Sequence, residues 1–206
     1  MQFLQALEEL RAKNKKRNFD QTLDLIINLK GFDPRRDNLN TFAILPHETR
    51  KKKICAFLEH HSNSVDYAIV KADIDKISAD EIKRLAKEYD FFIASAKLMP
   101  LVALKFGKTL GIAGKMPDPK MGAVIMQENE EAIKETASKI SKMIKVRAKE
   151  ASIKVPIAKE STHNDKAIEN ANSILKTVIN ALPKKELNIK SVMLKFTMSK
   201  PVRVKK

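Results

Sequence analysis

Cysteine is nearly missing from this 206-residue chain, which has one. A lone thiol builds neither a disulfide framework nor a Cys-based zinc site, and that usage points to the cytosol. Cys55 lies in the apolar run Ile54–Leu58 and reads as a small buried hydrophobe. Long apolar runs are missing as well. None approaches the roughly 20 residues that a membrane span needs, and the opening MQFLQALEELRAKNKKR lacks a signal peptide's apolar core. Catalytic signatures are equally scarce. There is no G-x-G-x-x-G and no G-x-S-x-G; His60 and His61 are adjacent rather than one helical turn apart, and His47-Glu48-Thr49-Arg50 lacks a second histidine ligand. Gly107-Lys108-Thr109 resembles the end of a phosphate-binding loop. However, Val102 stands where that motif needs glycine, and the segment follows a helix rather than a strand. These gaps leave no positive case for an enzyme, a cofactor or a metal.

What the chain has in excess is positive charge. Forty Lys and Arg against 25 Asp and Glu give +15, more than solubility alone requires. Such an excess suits polyanionic partners, because each neutralised phosphate releases condensed counterions. Its distribution says more than its total: residues 10–19 and 187–206 contain no acid at all.

Hydrophobic periodicity divides the chain into three. Phe3, Leu4, Leu7 and Leu10 fall at helical spacing over residues 3–13. A basic cluster follows, and then FDQTLDLIINLK, where Leu23, Leu25, Ile27 and Leu29 alternate with Thr22, Asp24, Asn28 and Lys30. Period two predicts a strand with one apolar and one mostly polar face. Turn residues 31–38 lead to a short strand, Thr41–Leu45, ended by Pro46. The middle alternates strand-like runs (Ile54–Leu58, Ala68–Val70, Phe91–Ala94, Ala123–Met126) with helices, as a mainly parallel α/β sheet would. Ser78-Ala79-Asp80-Glu81 has capping-box spacing for a helix through Tyr89, and further helices are expected at Leu98–Phe106 and Asn129–Met143. From about residue 143 the earlier grammar returns: strands at Met143–Arg147 and Ile153–Ile157, an amphipathic helix over 164–182, and a period-two strand Lys190–Met198. Similar ends around a different middle suggest one domain interrupted by another.

The two polar-faced strands are candidate binding surfaces. Thr22 and Asp24 on one, and Ser191, Lys195 and Thr197 on the other, offer donors and acceptors on a rigid sheet. Basic segments adjoin both: Lys15, Lys16 and Arg17, then Lys200, Arg203, Lys205 and Lys206. Cations position phosphates, whereas hydroxyls and a carboxylate read base edges or a ribose 2′-hydroxyl. The same pattern also fits the solvated face of a two-layer domain. Phe19 has the parity of the core set unless the strand begins after it, in which case it is free to stack on a base, and Met198 has the same two readings. The loop 114–122, GKMPDPKMG, is stiff and carries two lysines; it fits an anion contact or a rigid connector.

These segments resemble ribosomal protein L-one, the large-subunit stalk protein family, in its archaeal form. FDQTLDLIINL resembles the family's F-D-E-T-V-E strand; Asp33–Arg36 and Leu45–His47 match its D-P-R-R and L-P-H; GKMPDPKMG resembles G-K-M-P-N-P-K-x-G; and SVMLKFTMSKPVRV resembles the closing T-M-G-x-P-V-R-V. The resemblance implies an α/β fold of two domains: a split α/β sandwich from residues 1–46 and 150–206, carrying an inserted Rossmann-like three-layer α/β domain, 47–149. It implies a monomeric, cytoplasmic, ribosome-associated protein without membrane contact or catalysis. Such a protein binds large-subunit rRNA, assists release of deacylated tRNA from the exit site and represses its own mRNA. Carried over by position, the RNA contacts fall on Phe19, Thr22, Asp24, Ser191, Thr197 and Met198; Lys16, Arg17, Lys195, Lys200 and Arg203 supply the cations. The chain departs from the family pattern at Ser199 (glycine), Asn18 (a basic residue), Gln21 and Asp24 (glutamates), Asp118 (asparagine) and Asn40-Thr41 (Arg-Gly). Two rivals are a nucleotide-dependent enzyme built on the middle segment and a dedicated mRNA-binding repressor outside the ribosome.

Overall fold

The structure, a computed structural model, describes residues 2–205 except 16, 35, 38 and 63. Its first half runs α1 (Phe3–Lys13), β1 (Thr22–Leu29), β2 (Asn40–Ile44), β3 (Ile54–Leu58), β4 (Tyr67–Val70), α2 (Lys71–Ile74), α3 (Ala79–Glu88) and β5 (Phe91–Ser95). Then follow α4 (Met99–Ala113), β6 (Val124–Ile125), α5 (Glu130–Ser141), β7 (Met143–Arg147), β8 (Ser152–Lys159), α6 (Asn164–Ala181), β9 (Ile189–Phe196) and β10 (Val202–Arg203). The chain divides into two compact units, one of residues 1–50 with 142–206 and one of residues 51–141.

In the first unit an antiparallel sheet has the order β10-β9-β1-β8. Leu23, Leu25, Ile27 and Leu29 of β1 and Val192, Leu194 and Phe196 of β9 point to one buried face, the two-residue alternation that the sequence carries. The register places Leu25 opposite Leu194 and Val155, so apolar residues meet across three strands. Helix α1 buries Phe3, Ala6, Leu7 and Leu10 against β9, β10 and α6. Helix α6 adds Ala167, Ala171, Ile174, Leu175 and Val178. Pro156, which cannot donate to a ladder, sits on the edge strand β8 beside a bulge. A separate ribbon pairs β2 with β7, Asn40 opposite Arg147 and Ile44 opposite Met143. That pairing puts the contact boundaries at 50/51 and 141/142 rather than 46/47 and 149/150: residues 143–147 are hydrogen-bonded to β2 and so belong to the first unit.

The second unit has a parallel sheet in the order β4-β3-β5-β6. Every residue of β3 is buried, as a parallel strand covered on both faces must be. Phe57, Phe92 and Phe106 stack at its centre, with ring centroids 5.9 and 6.0 Å apart. The capping box of α3 is complete: Glu81 N–H donates to the Ser78 hydroxyl at 3.2 Å and Ser78 N–H to the Glu81 carboxylate at 3.0 Å.

Several elements differ from their expected extents, three of them for clear physical reasons. Helix α4 continues past Phe106 to Ala113, because Val102, Phe106 and Leu110 extend one buried stripe at four-residue spacing. It stops at Gly114, whose φ of +66° is the left-handed cap that glycine tolerates. Strand β6 contracts to two residues. The helix expected through Met143 ends at Ser141, since Met143 is taken by the β2–β7 ribbon.

Candidate nucleic-acid interface

The sheet of the first unit leaves its second face open. Thr22, Asp24, Ile26 and Asn28 of β1 alternate with the core set and lie beside Ser191, Met193 and Lys195 of β9. Asp24 faces Lys195 across the ladder. Its carboxyl pKa is raised by partial burial, the larger influence, and lowered by Lys195. At the strand ends, Thr197 N–H donates to the Thr22 carbonyl at 3.1 Å, and Thr22 N–H donates to the Thr197 hydroxyl at 3.1 Å. The same hydroxyl donates to the Thr22 carbonyl at 3.4 Å. Thr197 is therefore a clasp joining two strands 175 residues apart in sequence, and its oxygen keeps one lone pair for an outside donor. Lys159 donates to the Thr22 hydroxyl at 3.3 Å.

Two large apolar side chains stand exposed beside this clasp: Phe19 at 51% and Met198 at 60%. Strand β1 begins only at Thr22, so Phe19 escapes the parity that would have buried it. It sits on a pinned bend, because the next residue, Asp20, accepts from Ser161 N–H at 3.0 Å and from the Ser161 hydroxyl at 2.9 Å. Met198 lies beyond β9, and its backbone N–H donates to Oε1 of the fully buried Gln21 at 3.1 Å. An exposed hydrophobe on a fixed backbone loses little entropy on stacking.

A cationic groove of about 640 Å³ lies at the same end, lined by Lys13, Lys15, Arg17, Lys200, Arg203 and Lys205 over Leu10, Pro201 and Val202. Its one carboxylate, Glu9, already pairs with Lys13 at 2.6 Å. Lys16, another expected contact, lies outside the described residues. Ser191 is not part of this end. It faces Asn28, six residues along β1 from Thr22, or roughly 20 Å at strand rise. There Asn28 Nδ2 donates to the Ser191 hydroxyl, and the Ser152 hydroxyl donates to Asn28 Oδ1, both at 3.0 Å. The open face thus has two polar ends with Ile26 and Met193 between them.

Comparison with known proteins gives the chain's family. The model of the ribosomal protein L1p/L10e family matches residues 10–200. The chain belongs to this family. It is 34% identical to a protein of Nanoarchaeum equitans over 93% of this chain and 94% of the relative. It is 33% identical to one of Thermococcus kodakarensis (98% and 96% covered) and 32% identical to one of Pyrococcus abyssi (98% and 94%). All three carry the name large ribosomal subunit protein uL1. The archaeal form of the family is therefore the one this chain takes.

Two of the departures from the family pattern have physical explanations in the structure. Ser199 stands in place of glycine without backbone strain: among the described non-glycine residues only Lys185 has positive φ. Its hydroxyl accepts from Phe196 N–H at 2.9 Å, closing the turn. Asp118 accepts from Lys120 N–H at 2.9 Å, so its carboxylate stiffens its own loop. Of that loop's two lysines, Lys115 is bound to the Tyr89 carbonyl at 2.6 Å and Lys120 is exposed.

The second unit explains why a nucleotide is poorly served. Strand order reverses between β3 and β5, where open α/β sheets bind ligands beyond their carboxyl ends. Glu59 N–H at the end of β3 is held by both oxygens of Glu128, at 3.1 and 2.9 Å, and Lys97 donates to Glu59 at 3.0 Å. Carboxylates of the chain itself thus engage two donors, Glu59 N–H and Lys97, that a phosphate there would seek. Gly107-Lys108-Thr109 lies inside α4 rather than after it, where backbone N–H groups are spent on the helix. Sequence reasoning passed over Gln21, Asn28 and Ser152 as site residues, since their importance lies in partners more than 100 positions away.

Proposed function

We propose that this chain is a non-catalytic structural constituent of the large ribosomal subunit, and that it binds large-subunit rRNA through the open sheet face and cationic groove of its first unit. The observation that carries the reading is the Thr22–Thr197 clasp. It brings a rigid pair of exposed apolar tips, Phe19 and Met198, together with a groove holding six cations and one neutralised acid. Stacking surfaces on fixed turns suit unpaired or splayed bases, and the cations suit the flanking phosphates. Thr22, Asp24, Ser191, Thr197 and Met198, with Phe19, set fit to one RNA shape. Arg17, Lys195, Lys200 and Arg203, with Lys16, set affinity and salt dependence.

The family's further roles are adopted with this reading. The first unit is the RNA-binding domain, the second a Rossmann-like three-layer insert, and the whole a mobile stalk that assists release of deacylated tRNA from the exit site. Off the ribosome the protein is a cytoplasmic monomer that represses translation of its own mRNA. The test is binding to the family's rRNA fragment against an unrelated hairpin of equal size across a salt series. Cognate binding should stay tight while hairpin binding falls away with salt. Equal affinities that collapse together would reduce the interface to its +15 charge.

A further inference from the structure

Gln21 is a polar side chain with no exposed surface, placed immediately before β1. Its Oε1 accepts from Met198 N–H at 3.1 Å, while its Nε2 donates to Glu160 Oε2 at 3.1 Å and to Asn14 Oδ1 at 3.2 Å. Asn14 Nδ2 in turn donates to Glu160 Oε1 at 2.8 Å, and Glu160 N–H to the Gln21 carbonyl at 2.8 Å. The orientation of the amide is fixed by its partners: a backbone N–H needs the oxygen, and a carboxylate needs the nitrogen. Both amide hydrogens and the carbonyl are in use, so this group is fully satisfied.

Each partner leads to a different part of the surface. Asn14 is the C-cap of α1 and lies within the acid-free run that leads to Arg17. Glu160 follows β8 and precedes Ser161, which pins the Phe19–Asp20 bend. Met198 is itself one of the exposed apolar tips. We infer that Gln21 is a positioning residue for RNA binding, an uncharged junction that holds the Phe19 bend, the Met198 turn and the basic end of α1 in one fixed arrangement. The inference rests on the proposal that this end of the sheet binds rRNA. Its chemistry is specific: only a group that donates and accepts at once joins a backbone N–H to a carboxylate. Glutamate in its place, the residue that the family pattern carries there, would in this chain face Glu160 directly, and the contact would survive only while one of the two held a proton.

The decisive variant is therefore Gln21→Glu. Other charged groups around this junction are Arg11, which donates to the Thr162 carbonyl, Lys159, which donates to the Asp20 carbonyl, and Asp20 itself; from the β9 side the junction is met by a backbone N–H. The two cations soften the clash without removing it. Cognate rRNA-fragment affinity, measured as a ratio to wild type from pH 5 to 8, should fall about tenfold at the alkaline end, the factor that one pH unit of carboxyl shift represents. It should recover as pH falls and the shared proton is restored. Gln21→Glu/Glu160→Gln, which again offers one carboxylate and one amide, should restore affinity and flatten the profile. Gln21→Met, similar in size and unable to bond, should lose affinity equally at every pH. Melting curves on each variant check that the fold persists. Wild-type affinity in both Gln21→Glu and Gln21→Met would overturn the inference. So would a pH-independent loss in Gln21→Glu that the double variant leaves uncorrected, since that is what a merely structural residue gives. Failure of the wild type to prefer the rRNA fragment would instead overturn the underlying reading, and the inference with it.

Discussion

Asp24 carries two opposed influences, and together they predict a trade between stability and binding. Half-burial raises its carboxyl pKa and Lys195 lowers it by less. A carboxyl raised by folding favours the protonated form, so ionised Asp24 costs stability at neutral pH and the cost disappears as pH falls through the raised value. Asp24→Asn should therefore melt slightly above wild type at pH 7, with the gap closing below about pH 4, and should bind cognate RNA more weakly. A melting difference that ignores pH would contradict this account. Thr197→Ala should lower cognate affinity by about 1–3 kcal/mol, because it removes the hydroxyl's part of the clasp to Thr22 and the outward lone pair; Thr197→Ser, keeping the hydroxyl, should recover most of it in the same binding assay. Residues at this scale were unevenly legible. Phe19 and Met198 had two readings each, and the choice turned on where β1 begins and β9 stops, which periodicity does not resolve to one residue. Gln21 stood out only as a departure from the family's glutamate, and its role as a junction gave no signal, since two of its partners lie 139 and 177 positions away.

Elements were legible in proportion to how local their causes are. The α3 capping box was readable because Ser78 and Glu81 are three residues apart and answer each other directly. Ser78→Ala should cost about 1 kcal/mol of stability, seen in denaturant unfolding, and leave cognate RNA affinity unchanged because the box belongs to the other unit. A loss of RNA binding there would mean that the second unit takes part. Strands β1 and β9 were readable from strict alternation, since one face is core and the other open. The extent of α4 was not: the expected helix stopped at Phe106, yet Gly107 and Gly111 beyond it each have open space where a Cβ would sit, so neither marks a break in packing. Strand β7 was visible as a strand, but its allegiance was not, because pairing with β2 is a contact across about a hundred residues that no local pattern encodes.

On the proposed reading, charge governs strength and shape governs choice across the whole molecule. Lys200 lies in the cationic groove, and Lys200→Ala should weaken cognate and unrelated RNA alike, reducing the logarithmic salt slope by about 1. A loss confined to cognate RNA would assign Lys200 a recognising role instead. The sheet order β10-β9-β1-β8 has a different consequence, for the timing of synthesis. Strand β1 is complete at residue 29, whereas its two neighbours begin at residues 152 and 189. At ordinary elongation rates that interval lasts on the order of ten seconds, during which the growing chain has the first line of its binding face and neither flanking one. A product cut short by a premature stop would carry much of the positive charge and none of the recognition. On the proposed reading, competence to choose an RNA arrives only with the last few dozen residues, so the message must be read almost to its end before its product can select one.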